Sequence, residues 1–261
     1  MLKTLARSLA VFALSAFGAA AACAQQPGAL AQYVVALNGI NVAYLNVRLH
    51  TEGETYQLDL TADVTGLAQI VAQGSGAVNS GGRVTGTGLA SDRFYLETRT
   101  SSDRFSVHTR YAGGTANDFT VSPPLPENPD RVAVSASHRR GVNDPVAAFI
   151  LRGSGLDQSL CNRTMAIFTG IERFDLQLSF AQMDSATSNR TGYQGPVVAC
   201  AMRYHPISGH FNSSEITAYL RDNQRMMAWF APLGETGFFI PYRVLIGTSF
   251  GDLSMVLTSM Q

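Results

Sequence analysis

The side chains in this chain that could do chemistry are few. Three cysteines and five histidines are spread over 261 residues. Cys161 and Cys200 bracket a stretch that reads as strands and a polar loop, and they are the pair left once Cys23 is assigned to a leader. An even pair of thiols in an exported chain reads as a disulfide formed in an oxidising compartment. That leaves no cysteine for nucleophilic catalysis. His205 and His210 lie five apart, with Glu215 five further on. Such a set could ligate a metal or serve a hydrolase, but the familiar metal sites use tighter spacing, so these read as surface or loop histidines. Gly153-Ser154-Gly155 lacks the spacing of a nucleophile elbow and follows a helix signal instead of opening one. The glycines at 81, 82, 86 and 88 read as turns, not as a phosphate loop or a dinucleotide fingerprint. No catalytic residue, metal or cofactor is assigned.

The first 24 residues read as a signal peptide. Lys3 and Arg7 supply a basic start, Leu9 to Phe17 an apolar run, and Ala22-Cys23-Ala24 a small-x-small cleavage site. The apolar run is too short for a membrane span, so no span is expected in the mature chain. A lipidated Cys23 is the weaker reading, because the lipidation signal wants a Leu-like residue where Ala20 stands. Export places the protein in the periplasm. Removing two basic residues from 19 leaves 17 against 19 acidic ones, and that balance favours neither nucleic acid nor an anionic membrane. Lys3 is also the sole lysine, so the mature chain carries positive charge on arginine alone.

The elements that would position any site are mostly strands. Tyr33 to Leu37 and Val42 to Leu49 flank Asn38-Gly39, a strong hairpin turn. With Glu52-Gly53 as the next turn, Leu45, Val47 and Leu49 would face Leu60, Leu58 and Tyr56. The stretch from Gly66 to Ala72 reads as one helical turn, and Gly74 to Gly88 as a glycine-rich hairpin at an edge. Arg93 to Arg99 and Arg104 to Tyr111 form another hairpin, in which Arg99 would oppose Arg104 and Arg93 oppose Arg110. Like charges opposed on a sheet are unfavourable, so this face is either solvated or holds an anion. Asp144-Pro145 opens the best helix signal, with Val146, Phe149 and Ile150 on one face and Gly153 at its end. Val198, Cys200, Met202 and Tyr204 share one face of a later strand. Residues 212 to 222 favour a short helix, and three more strands close the chain. The expected architecture is mainly β, with one curled, partly closed antiparallel sheet packed around two or three short helices. It forms a single domain over residues 25–261.

Several stretches together resemble one family. They are Tyr33 with Asn38-Gly39-Ile40-Asn41-Val42, then Asn143-Asp144-Pro145-Val146-Ala147-Ala148, then Cys161 with Phe168-Thr169-Gly170-Ile171-Glu172-Arg173-Phe174. Cys200 with Arg203-Tyr204-His205-Pro206, Trp229-Phe230-Ala231-Pro232 and Pro241-Tyr242-Arg243-Val244 follow in the same order. The set is similar to the domain-of-unknown-function 3108 family. That resemblance implies an exported, mostly β envelope protein of the kind common in alphaproteobacteria, and it carries no catalytic residues across.

The function expected is a non-enzymatic envelope protein acting by binding or as a structural module, its partner an unknown envelope component or an apolar ligand. In the carrier form of this reading, Val146, Phe149 and Ile150 on one side and Met202 and Tyr204 on the other would face a lipid. In the alternative form, a hydrolase would use His205 and His210.

Overall fold

The computed structural model describes residues 28–65 and 74–261. The expected leader over 1–24 and the helical turn expected over 66–72 lie outside the described residues. Among the described residues fourteen strands make one antiparallel sheet. Its first half is a meander of β1 (Ala29–Leu37), β2 (Ile40–Glu52), β3 (Thr55–Val64), β4 (Gly74–Val84), β5 (Leu89–Thr100), β6 (Arg104–Ala112) and β7 (Thr115–Ser122). After a crossing that contains the proline-rich stretch come β8 (Leu151–Arg152), β9 (Arg163–Phe168), β10 (Arg173–Ala186), β11 (Gly195–Ser208), β12 (Met226–Pro232), β13 (Phe238–Thr248) and β14 (Gly251–Met260). β14 pairs with β1, which joins the two meanders into one path from β7 round to β9.

The path bends into a nearly closed barrel, and one irregular segment spans the gap. Residues 140–152, the strap, bridge Arg140 to Thr115 at the β7 edge and Asn143 to Ile167 at the β9 edge. The strap then crosses to the far wall, where β8 pairs with Phe238 and Phe239 of β13 and Leu151 bridges Gly88. Across the same gap Phe119 meets Phe168 edge-on at 5.3 Å, and the Tyr111 hydroxyl donates to the Phe168 carbonyl at 2.9 Å. Unpaired strand edges invite pairing with other chains, and the strap covers both ends of the path.

Local chemistry explains most of the meander. Asn38 and Gly39 take positive φ angles of 51° and 78°, as a tight hairpin between right-twisted strands requires. The β2–β3 register differs from expectation by two residues: Leu45, Val47 and Leu49 oppose Ala62, Leu60 and Leu58, because the turn lies one position later, at Gly53-Glu54. A slip of two leaves every side chain on its expected face. The arginine hairpin has the expected register, Arg99 opposite Arg104 and Arg93 opposite Arg110.

Two expectations are corrected. The glycine-rich stretch is not an edge hairpin. Residues 74–84 are a single interior strand between β3 and β5. Its glycines answer to close approach, since a Cβ on Gly82 would stand 2.1 Å from the Ala90 carbonyl at a bulge. Nor, among the described residues, does the sheet pack around two or three helices. Among the described residues the one α-helix, α1 (Glu215–Asp222), has no buried residue, and the helix expected after Asp144 is a single 3-10 turn, Ala147–Phe149. The strap cannot continue as helix because its next residues pair with β13, and extended backbone there satisfies more main-chain groups.

Buried residues fall in three clusters. One surrounds the Cys161–Cys200 disulfide, which ties a 3-10 turn, Gln158–Cys161, to β11. Both sulfurs are fully buried among Leu160, Met202, Ala228 and Phe230. Another lies between strap and sheet, and a small third one around Phe94 and Phe168 fills the gap region. The disulfide closes a sequence separation of 39 residues, for which loop-closure entropy gives about 4 kcal/mol at most. Purified protein should therefore show no free thiol before reduction. The Cys161→Ser chain should melt well below the parent by calorimetry, whereas equal melting temperatures would remove the bridge from the stability argument.

Candidate functional site

The strap is held by one carboxyl group. Asp144 has no exposed surface. Its Oδ1 accepts the N–H groups of Val146 and Ala147, each at 2.8 Å, which is the capping role its sequence suggests. Its Oδ2 accepts hydroxyl hydrogen bonds from Ser80 on β4 and Ser91 on β5. Tyr56 on β3 completes the network, 2.8 Å from Ser80 Oγ and donating to Ser91 at 3.2 Å. Asn143 beside it accepts from the Ser91 N–H and donates to the Leu89 carbonyl at 2.7 Å. Burial pushes the Asp144 carboxyl above its ordinary range, and the serine hydroxyls and two N–H groups draw it back only in part. Burial, with the Asp144 charge adding to it, likewise raises the Tyr56 hydroxyl.

Anchored so, the strap roofs an apolar cavity of about 360 Å³. Its floor is five neighbouring strands: Leu58 and Leu60 of β3, Leu45 and Val47 of β2, Tyr33 and Val35 of β1, Leu253 and Met255 of β14, and Val244 and Ile246 of β13. Pro145, Val146, Phe149 and Ile150 form the roof. Among the described residues no charged side chain lines it, and Ser254 supplies a lone aliphatic hydroxyl. The volume falls near the lower end of the range for small-molecule sites, roughly 300–1,000 Å³. The period-two spacing of these floor residues is what puts them on one face.

The sequence-selected residues divide. Val146, Phe149 and Ile150 line the cavity, while Met202 and Tyr204 are buried in the cluster around the disulfide and are not among its walls. Tyr204 packs 5.2 Å from the Phe174 ring, and burial first, then the Glu172 charge, pushes its hydroxyl up to about 12. His205 is an exposed β11 residue opposite Asp175, and His210 lies beyond the strand end in a turn. Among the described residues no group of three or more metal-ligating side chains forms. Sequence reading overlooked Ser80 and Ser91. Small hydroxyls amid glycines and strand residues carry no signal until the strands align them under Asp144.

One of the two opposed arginine pairs of β5 and β6, Arg99 with Arg104, has an internal counter-ion. Glu97, buried to 8 % exposure, is bonded by Arg99 and Arg104, and accepts from the Tyr95 hydroxyl at 2.7 Å. These contacts, the tyrosine hydrogen bond first and the arginines after it, hold the Glu97 carboxyl down to about 2.

A nearly closed antiparallel barrel with an internal strap and an apolar space beneath it defines a class of small β-shells. Residues 32–258 match the family described as "Protein of unknown function (DUF3108)", and the chain belongs to that family. No curated protein and no solved structure matches it. Among the described residues no helix is long and apolar enough to cross a membrane.

Asp144→Ala should cost about 3 kcal/mol or more in urea unfolding, since it strips acceptors from two hydroxyls and two N–H groups at once. A loss of a few tenths would show that the strap is held by packing alone. For Glu97 the sign follows from a depressed folded value. Its stabilisation is complete above the ordinary 4.5 and is lost as pH falls towards about 2. Glu97→Gln should therefore lower the unfolding midpoint at neutral pH and converge with the parent near the acid end.

Proposed function

We propose that this protein is an exported, periplasmic binding protein of the cell envelope, and that it holds an apolar chain such as an acyl tail beneath its strap without catalysing a reaction. The observation that carries the reading is the cavity. Half-buried Val35, Leu45, Val47, Leu60, Val146 and Phe149 surround space that a filled core would occupy with side chains. Interiors are ordinarily packed with few voids larger than a water molecule, and an apolar space of this size is a standing site for an apolar guest. The cluster around the disulfide is filled, so the space is local to the stretch of strap from Pro145 to Ile150. An oxidising periplasm supports the bridge, and the bridge in turn is compatible with export. A hydrolase reading at His205 and His210 draws no support from their placement on an exposed strand position and a turn.

Protein purified from its native periplasm should release a lipid or other apolar molecule on organic extraction, identified by mass spectrometry. Leu45→Trp, which fills the floor, should weaken binding of a fluorescent fatty acid by about tenfold or more, equal to about 1.4 kcal/mol, while leaving the unfolding transition cooperative. Extracts repeatedly free of apolar molecules, together with undiminished fatty-acid binding by the variant, would end this reading.

A further inference from the structure

The strap has a second side. Away from the apolar cavity it forms one wall of a polar cleft of about 730 Å³, whose other walls come from the β4–β5 turn, the loop after β8 and the start of β9. Two arginines stand in it. Arg152 Nη1 donates to the Thr85 carbonyl at 3.3 Å, and Arg163 Nη1 donates to the Thr87 carbonyl at 2.8 Å. Both guanidinium groups therefore sit on one short turn, bonded to carbonyls two residues apart. No carboxylate balances them: the cleft walls contain neither Asp nor Glu, and neither arginine has an acidic partner among the described residues. Asp157, in the loop near by, accepts the Ser159 N–H through Oδ1 at 2.7 Å and forms no ion pair with either arginine.

The arginine pair at Arg99 and Arg104 is neutralised by Glu97 between them, whereas the pair at the cleft is left charged. Arg163 Nε is moreover buried without an acceptor. A buried donor left unpaired costs about 1–3 kcal/mol, and burial alone lowers the Arg163 guanidinium's affinity for its proton. Both penalties are relieved by an anion that brings acceptor oxygens. Ser154, Ser159, Thr164 and Asn162 add neutral donors around the same space. Two guanidinium groups with several hydroxyls around them suit the higher charge and three acceptor oxygens of a phosphate group.

We propose that the Arg152–Arg163 cleft is a binding site for a phosphate-bearing ligand, distinct from the apolar cavity on the other side of the strap. The phosphate can come as a free phospho-compound or as the headgroup of an anionic lipid, and the two sources are separable. Full-length mature protein is titrated by calorimetry with pyrophosphate and, separately, with dihexanoyl phosphatidylglycerol below its micellar concentration. Saturable binding of pyrophosphate supports the site and a free source; binding of the lipid alone supports the site and a headgroup source. In either case Arg152→Gln and Arg163→Gln should each weaken binding by about tenfold or more, while Arg110→Gln leaves it unchanged. Arg163→Lys keeps the charge without the fork and should retain part of the affinity, which separates loss of the site from loss of the fold. Leu45→Trp tests the apolar cavity and should leave pyrophosphate binding intact, so either site can fail without the other. Absence of binding to both probes, or binding unaltered in the Arg152→Gln/Arg163→Gln double variant, would overturn the assignment.

Discussion

The carboxyl group of Asp144 is the constraint on which the rest of the architecture depends. A sheet whose path ends at β7 and β9 has two open edges, and nothing in its own ladder joins them. The strap bridges them only if its backbone is held inside the barrel, away from water. A buried irregular segment needs partners for its main-chain groups. Asp144 supplies two of them to Val146 and Ala147, and takes in exchange the hydroxyls of Ser80 and Ser91. One side chain thus satisfies the segment locally and fixes it to two neighbouring strands. Burying a carboxyl is costly unless it is fully bonded, and here both oxygens are engaged.

The disulfide acts on a different part of the problem. It limits the unfolded chain and fastens the turn before β9 to β11 within a filled core. Ala148 and Leu151 of the strap pack in that same core, so the bridged cluster also backs the strap. Pairing of β14 with β1 does the remaining work of closure, joining the first and last strands across the full sequence. Three long-range devices of different chemistry therefore hold the shell: a covalent bridge, a main-chain ladder and a buried carboxyl network.

Much of this was readable from residue order, and the limits have physical reasons. Period-two alternation at Leu45, Val47, Leu58 and Leu60 places the cavity floor on one face even though the β2–β3 turn falls one position later than expected, because a two-residue slip preserves the face. The arginine hairpin was readable to the residue pair, but not its counter-ion: Glu97 shares the face of its own neighbours and gave no sign that it would be buried between opposed strands. Residues 74–84 misled because glycine signals turns as well as tight packing, and only the partner strands decide between them. Asp144-Pro145 has the grammar of a helix start, and its capping bonds are present. Pairing of Leu151 and Arg152 with β13 overrides the helix that should have followed.

The same override explains why the strap can have two chemically different sides. A helix of this length would present one apolar face and bury it, leaving a filled interface. A single 3-10 turn followed by extended backbone instead sends Val146 and Phe149 to the floor side and Arg152 to the cleft side over a few residues. Ile150 alone borders both spaces. Because Asp144 fixes where that change of direction begins, the apolar void and the arginine cleft are positioned by one anchor.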